Sequence, residues 1–307
     1  MNSRAAKRKL LKQIQAEYDN FDYKPWAMPI LKICGFFLRT FKTTVTFEEK
    51  PPTDGCVLFC LNHQNFYDSL VSSYALDKDY RFISLASDEP RGKFAGLAFE
   101  SKGVVYVNRS DPESRKAASK TLLALAQAGL TIAWLPEGTW NTSPNRLMLP
   151  LSWGMATVAI EAAKTTKVYI VPVCIDYQYK EDSCKVIRAA VRVCKAIPVS
   201  PEMRAKALTE EVETVCWTTR WLQMEERMKK TPGCIVQGND HLYPRSKISQ
   251  DYWTSFVNKL YSQYKVDWAA EQNYRVTTPE ERLQKEMQKY INPGCHTVSV
   301  TYCEEDS

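Results

Sequence analysis

The fold of this chain is indicated by residues 56–68, which read CVLFCLNHQNFYD. The first six residues form an uninterrupted apolar run with the length and composition of a buried strand. His63 and Asp68 follow, five positions apart. On one straight helix that spacing would place them about 140° apart, so they could not meet on one face. They can meet if His63 lies in the turn after the strand and Asp68 in the first turn of the next helix. The stretch therefore predicts a strand, a turn and a helix.

The same two side chains are a candidate catalytic pair. A carboxylate bonded to one imidazole nitrogen fixes the tautomer and raises the basicity of the other nitrogen, which makes a positioned general base. The other two histidines, His241 and His296, have no acid at a comparable spacing in such a setting. A structural or capping role for His63 and Asp68 is the alternative that their spacing alone leaves open.

Strand and helix patterns alternate on both sides of this stretch. Predicted strands cover residues 43–48, 56–61, 82–87, 104–108, 131–135, 168–177 and 186–195, and predicted helices cover residues 66–76, 93–101, 112–128, 152–164 and 201–229. Such alternation predicts an α/β fold with a largely parallel central sheet flanked by helices. Ligands of these sheets bind at the carboxyl ends of the strands. His63, Arg109 and Glu137 each follow a predicted strand, so we expect them to converge on one edge.

The pattern divides the chain into three segments. Residues 1–42 are predicted to form basic and apolar helices, residues 43–200 the α/β domain, and residues 201–307 a mainly helical C-terminal extension to which the sequence assigns no role.

Composition narrows the class of protein. The 307 residues are 44% hydrophobic and 25% charged, as in ordinary globular proteins. Ten cysteines occur without a Cys-x-x-Cys pair, which disfavours a zinc or redox motif and favours reduced thiols in a cytosolic setting. No cluster of metal-ligand type is recognisable, so we expect no metal, and no signal-peptide pattern opens the sequence.

The basic residues are concentrated at the N-terminus. Residues 1–50 carry ten Lys or Arg and five Asp or Glu, whereas the other 257 residues are nearly neutral. This distribution disfavours nucleic acid as a partner. Residues 26–41 are apolar and aromatic but interrupted by Pro29, Lys32 and Arg39, and they fall short of the roughly 20 apolar residues that a spanning helix needs. They predict a helix lying in the interface of an anionic membrane. An ordinary domain helix with a solvated charged face is the alternative.

Four blocks of sequence, in this order, carry a resemblance. They are His63-x4-Asp68, the strand-like stretch Gly103–Arg109, the turn Leu135–Trp140 (LPEGTW) and the stretch Val171–Val173 (VPV). Over roughly residues 45–200 the chain resembles the glycerolipid acyltransferase family, of the 1-acylglycerol-3-phosphate O-acyltransferase type. The resemblance implies a membrane-associated enzyme of phospholipid biosynthesis, which we expect to be cytoplasmic and peripheral on the cytoplasmic face of the membrane.

The resemblance also implies roles for particular residues. His63 would be the general base and Asp68 would orient it, while backbone amides around Gly138 would hold the oxyanion of the tetrahedral intermediate. Arg109, Glu137 and Thr139 would hold the phosphate or glycerol of the acceptor, a lysophospholipid such as 1-acylglycerol-3-phosphate. Acyl-CoA or acyl carrier protein would be the donor and co-substrate, with no further cofactor. The acceptor hydroxyl attacks the thioester directly, and a Gly-x-Ser-x-Gly elbow for an acyl-enzyme is absent from the sequence.

The chain departs from the family pattern at two positions. Trp140 stands where the third block usually ends in Arg, and Ser87-Asp88 stand where a basic residue usually follows a strand. Candidate replacements for the missing cations are Arg91, Lys93 and Arg146. Two alternatives follow from these losses: the same chemistry on an acceptor with another head group or no phosphate, or a catalytically silent homologue that binds lipid. Trp140, with Trp134 and Trp153, is expected to line an acyl groove or to belong to an ordinary aromatic core.

Overall fold

The computed structural model describes residues 4–37, 42–64, 67–76, 80–138, 141, 148–179 and 186–230. Within these ranges the strands are β1 (Phe21–Asp22), β2 (Lys42–Phe47), β3 (Cys56–Leu61), β4 (Ile83–Ser87), β5 (Val104–Val107), β6 (Ile132–Trp134), β7 (Val168–Tyr179), β8 (Val186–Val193) and β9 (Ile197–Val199). The helices are α1 (Arg4–Glu17), α2 (Met28–Phe37), α3 (Asp68–Leu76), α4 (Phe94–Glu100), α5 (Pro112–Gln127), α6 (Gly154–Ala163) and α7 (Ala205–Lys230), and a short 3-10 helix covers Pro25–Ala27.

The strands form one mixed sheet. Their order is β1-β5-β4-β6-β3-β7-β8-β2, and β9 also pairs with β7. Strands β5, β4, β6, β3 and β7 are parallel to one another, whereas β1, β8 and β9 pair antiparallel with their neighbours β5 and β7. The predicted α/β class, with a largely parallel sheet flanked by helices, is confirmed.

Strand β3 lies between β6 and β7, and all six of its residues are buried. This position explains its continuous apolar sequence, because helices cover both faces of a parallel sheet. After β3 ends, the Asn62 side chain continues the pairing with β7. Its Nδ2 donates to the carbonyl of Ile175 at 3.0 Å, and its Oδ1 accepts from the Ile175 amide at 2.7 Å. The turn that carries His63 is thereby fixed to the neighbouring strand.

The N-terminal segment contributes to the sheet and its core. Leu11 and Ile14 of α1 are buried in the main hydrophobic cluster. Phe21 in β1 pairs with Val105 in β5. The prediction of helices for residues 1–42 did not include strand β1. Strands β1 and β9 have only two and three residues, too few for a period of two to be recognised.

Two groups of helices cover the sheet. Helix α7 packs on β7 and on α6, which in turn packs on α5, while α2 contacts α3 and α4. The division at residues 42 and 200 stays a prediction, but β1 and α7 show that parts of both flanking segments contact the α/β sheet. The predicted extension beyond residue 230 lies outside the described residues. In the part of the chain that the structure describes, no helix combines the length and apolar character needed to cross a membrane.

Candidate active site

His63 and Asp68 meet in the turn between β3 and α3. Asp68 is the first residue of α3, and its Oδ2 lies 2.9 Å from Nδ1 of His63. The strand, turn and helix that the spacing requires are thus observed. The Asp68 side chain is fully buried, whereas 21% of the His63 side chain is exposed. A substrate can therefore reach the imidazole, while the carboxylate is shielded from water.

The Asp68 carboxylate has further donors besides the imidazole. The backbone amide of Gln64 donates to Oδ2 at 2.6 Å, and the hydroxyl of Tyr177 donates to Oδ1 at 2.7 Å. Both carboxylate oxygens are therefore held, which fixes the orientation of the group that faces His63. Sequence reasoning missed Tyr177, because nothing in its local sequence pattern connects a tyrosine on β7 with an acid more than 100 positions earlier.

Glu137 supports the turn that carries His63. Its side chain is buried, its Oε1 accepts from the His63 amide at 2.7 Å, and its Oε2 accepts from the Leu149 amide at 2.7 Å. Burial raises the pKa of Glu137 to about 8, although the two amide hydrogen bonds act in the opposite direction. The structure thus gives Glu137 two backbone partners. Its contact with an acceptor stays a prediction.

Arg109 follows β5 and Gly138 follows β6, and the two residues lie side by side although β4 stands between these strands in the sheet. A Cβ added at Gly138 would lie 3.9 Å from Nη1 of Arg109, and Gly138 has a φ of 73°, which favours glycine. Partial burial lowers the pKa of the Arg109 guanidinium, and the nearby Glu89 carboxylate partly offsets this effect. His63, Arg109 and Glu137 are therefore gathered at the carboxyl edge of the sheet.

The predicted oxyanion site around Gly138 is only partly described. The Gly138 amide donates to the carbonyl of Leu135 at 3.1 Å, so it is already used in the turn. Thr139 and Trp140 lie outside the described residues. The next described residue, Asn141, donates its amide to the His63 carbonyl at 2.6 Å, so the chain returns to the histidine. The roles of Gly138 and Thr139 stay predictions.

A loop beside the pair is held from two sides by carboxylates. Leu149 bonds to Glu137, and the amide of Leu151 donates to Oε1 of Glu213 at 2.6 Å. Glu213 belongs to α7 and is buried. Helix α7, to which the sequence assigned no role, therefore helps to shape the surroundings of His63.

The candidate replacements for the missing cations are placed differently. Arg91 donates through Nε to Asp22 at 2.9 Å, and its guanidinium lies 5.4 Å from the centre of the Tyr106 ring. These contacts tie Arg91 to β1 and β5, and its role at an acceptor site stays a prediction. Lys93 is exposed next to the start of α4, and Arg146 lies outside the described residues.

Two of the three tryptophans predicted to act together are described, and Trp140 lies outside the described residues, so the acyl groove stays a prediction. Trp134 is buried in the core beside Gly154, whereas 57% of Trp153 is exposed. Among the described residues there is no group of three or more His, Cys, Asp or Glu side chains that could hold a metal ion. Five cysteines are buried free thiols, namely Cys56, Cys60, Cys174, Cys194 and Cys216, and burial raises the pKa of Cys56 to about 12.

Comparison with known proteins identifies the domain that holds this site. The family model described as Acyltransferase matches residues 42–176, which include all four sequence blocks. Over residues 42–176 the chain is therefore similar to the Acyltransferase family, which supports the resemblance to the glycerolipid acyltransferases. The matched range contains His63, Asp68, Arg109 and Glu137, and it ends one residue before Tyr177 in β7.

Relatives support the same family. The chain is 29% identical over 169 residues to the 1-acyl-sn-glycerol-3-phosphate acyltransferase BAT2, chloroplastic, of Brassica napus, an alignment that covers 53% of this chain and 44% of the relative. It is 32% identical over 96 residues to the 1-acyl-sn-glycerol-3-phosphate acyltransferase LPAT1, chloroplastic, of Arabidopsis thaliana, covering 30% of this chain and 25% of the relative. The chain thus matches less than half of the length of either plant protein.

A solved structure shares the fold. The 1-acyl-sn-glycerophosphate (LPA) acyltransferase PlsC from Thermotoga maritima aligns with a TM-score of 0.51 at 17% identity. The alignment covers 75% of this chain and 85% of that structure. At this identity the likeness shows a common architecture for the acyltransferase domain.

Proposed function

We propose that the chain transfers a fatty acyl group from acyl-CoA or acyl carrier protein to the free hydroxyl of a lysophospholipid, with 1-acylglycerol-3-phosphate as the first candidate acceptor. The observation that carries the proposal is the 2.9 Å contact between His63 Nδ1 and the buried Asp68 carboxylate, beside an imidazole that solvent can reach. The plant relatives are named as 1-acyl-sn-glycerol-3-phosphate acyltransferases, which supports the choice of acceptor.

The reaction follows from this geometry. Asp68 keeps the proton of the neutral imidazole on Nδ1, so Nε2 has the lone pair that accepts the proton of the acceptor hydroxyl. The hydroxyl oxygen attacks the thioester carbonyl and forms a C–O bond. The tetrahedral intermediate then breaks the C–S bond, and the leaving thiolate takes the proton from the imidazolium. The products are an ester and a free thiol, and His63 returns to its neutral state.

The surrounding residues position the base and bind the acceptor. Glu137 holds the amides of His63 and Leu149, so it keeps the base in place. Arg109, next to Gly138, supplies a guanidinium of the kind that binds phosphate in a bidentate manner. We assign Arg109 to the acceptor phosphate. Amides near Gly138, with Thr139, complete the proposed oxyanion and acceptor contacts.

A second acceptor class has a specific observation in its favour. Arg91 is held by Asp22, and Trp140 replaces the usual Arg, so Arg109 stands with fewer cationic neighbours than the family pattern provides. An acceptor with another head group, or with no phosphate, would fit a site of lower positive charge. The chemistry at His63 would be the same.

The acceptor is tested by identifying the product. Purified protein in detergent would be given palmitoyl-CoA, or palmitoylated acyl carrier protein, with one of three acceptors: lysophosphatidic acid, lysophosphatidylcholine or monoacylglycerol. Mass spectrometry of the lipids should detect phosphatidic acid as the main product. Efficient acylation of only the other two acceptors would replace 1-acylglycerol-3-phosphate by the second acceptor class, and no product with any acceptor or donor would overturn the proposal of acyl transfer.

We also propose that the N-terminal helices contact an anionic membrane surface at the cytoplasmic face. Arg8, Lys9 and Lys12 of α1 are exposed. Trp26, in the 3-10 helix, is 66% exposed and Ile33, in α2, is 58% exposed. Basic residues attract an anionic leaflet, and exposed aromatic and aliphatic side chains insert at its interface.

Vesicle sedimentation tests this contact. Vesicles of phosphatidylcholine with 30% phosphatidylserine would be used, a composition of roughly physiological negative charge. Replacing Trp26 and Ile33 by Ser should reduce the bound fraction severalfold. The control replaces Trp153, which is 57% exposed and directly precedes α6, by Ser and should bind like the wild type. Equal binding by both variants would move the membrane contact elsewhere.

A further inference from the structure

The Asp68 carboxylate is held by a different group on each oxygen. Oδ2 faces Nδ1 of His63 and accepts the Gln64 amide, and Oδ1 accepts the hydroxyl of Tyr177 at 2.7 Å. The Tyr177 side chain is 1% exposed, so this hydrogen bond forms away from water. The side-chain torsion that turns a carboxylate about its own axis is broad and roughly two-fold. An additional donor on Oδ1 restricts that rotation.

Tyr177 is itself placed by contacts on both sides of its strand. Successive residues of a strand point to opposite faces. Its neighbour Asp176 accepts from Nη1 of Arg220 in α7 at 3.0 Å, with both charged side chains buried. Two positions earlier, Ile175 is bonded through its amide and carbonyl to Asn62, next to His63. The strand that carries Tyr177 is therefore fixed relative to both α7 and the catalytic turn.

We propose that Tyr177 is a positioning residue, whose hydroxyl sets the plane of the Asp68 carboxylate and so keeps the His63 imidazole oriented for proton transfer. This inference rests on the proposed acyl transfer. Because Tyr177 is buried, the loss of its hydroxyl should slow the proton-transfer step and leave substrate binding unchanged. A contribution limited to orientation is smaller than the roughly 10²- to 10⁴-fold of a complete general base.

The test compares two variants that each remove one buried tyrosine hydroxyl. Tyr177→Phe deletes the donor to Asp68. The control, Tyr106→Phe, deletes a hydroxyl that donates to the buried Glu100 at 3.1 Å, outside the proposed catalytic residues. In thiol-release assays we expect kcat of Tyr177→Phe to fall about tenfold with KM within about twofold, and Tyr106→Phe to keep the wild-type kcat. A purely structural role for Tyr177 would lower the unfolding temperature of both variants and leave both kcat values alike. That result would overturn the inference.

A second readout does not depend on turnover. In protein labelled with ¹⁵N at the histidines, the imidazole shifts report which ring nitrogen carries the proton, and His63→Ala identifies the His63 signals. We expect Tyr177→Phe to increase the tautomer with the proton on Nε2, while Tyr106→Phe matches the wild type. Unchanged His63 signals in Tyr177→Phe would overturn the inference. If the wild type transfers no acyl group, the proposed function fails, and the spectra still decide whether Tyr177 controls the pair.

Discussion

The buried carboxyl of Glu137 makes the stability of the protein depend on pH. Burial raises the pKa of Glu137 from 4.5 to about 8 in the folded protein. Between these two values the folded state binds more protons than the unfolded state. The stabilisation is therefore complete below about pH 4.5 and is lost as the pH rises through about 8. The difference between the two pKa values corresponds to roughly 5 kcal/mol, at about 1.4 kcal/mol per pH unit.

The variant Glu137→Gln removes this titration but keeps nearly the same shape. Its amide offers one oxygen to the amides of His63 and Leu149, and turns an NH₂ group toward the other. The mismatch should cost about 1–3 kcal/mol at every pH. The variant should therefore be less stable than the wild type at pH 5, and the deficit should shrink or reverse by pH 9.

Urea unfolding at several pH values between 5 and 9 measures both curves. The control is Glu161→Gln, in which the replaced Glu161 is half exposed and paired with Lys164. Its pH dependence should follow that of the wild type. If Glu137→Gln and the wild type lose stability in parallel across this range, the pKa of Glu137 is not raised in the folded protein, and its burial does not make the stability depend on pH.

Two further substitutions test the frame of the site. Arg220→Met should destabilise the protein by about 3–5 kcal/mol in urea unfolding, because it leaves the Asp176 carboxylate buried without the guanidinium that pairs with it. Adding Asp176→Asn should recover much of that loss. If Arg220→Met is as stable as the wild type, the pair is not buried as described. Gly138→Ala should cost about 1–2 kcal/mol because its φ is 73°. It should also lower kcat/KM because the strained turn carries the amides proposed to hold the oxyanion, and wild-type values in both assays would refute a strained turn beside Arg109.

The central elements of the fold could be predicted because their apolar residues form clear patterns and turn residues mark their ends. β3 and α3, predicted at residues 56–61 and 66–76, are observed at Cys56–Leu61 and Asp68–Leu76. Helix geometry required that His63 and Asp68, if they meet, lie on either side of a turn, and the structure has this arrangement. The largely parallel direction of the strands followed from the alternation of strands and helices along the chain.

Other features depend on tertiary contacts that a single sequence does not contain. β1 has two residues and is defined by its pairing with β5. The sequence does not indicate a partner for Arg91, yet the fold places its guanidinium against the carboxylate of Asp22. Tyr177 of β7 donates a hydrogen bond to Asp68, and Glu213 of α7 accepts one from Leu151. No local sequence pattern predicts either hydrogen bond. Long-range polar contacts of this kind are the least predictable part of the site.

The most direct test of the account is release of free thiol from palmitoyl-CoA, with and without lysophosphatidic acid, by the wild type and His63→Ala. Equal unfolding temperatures of the two proteins would show that the variant is folded, since His63 lies partly exposed in a turn. The account predicts release that requires lysophosphatidic acid in the wild type and is lost in His63→Ala. Release at the wild-type rate by the variant would contradict the assignment of His63 as the base.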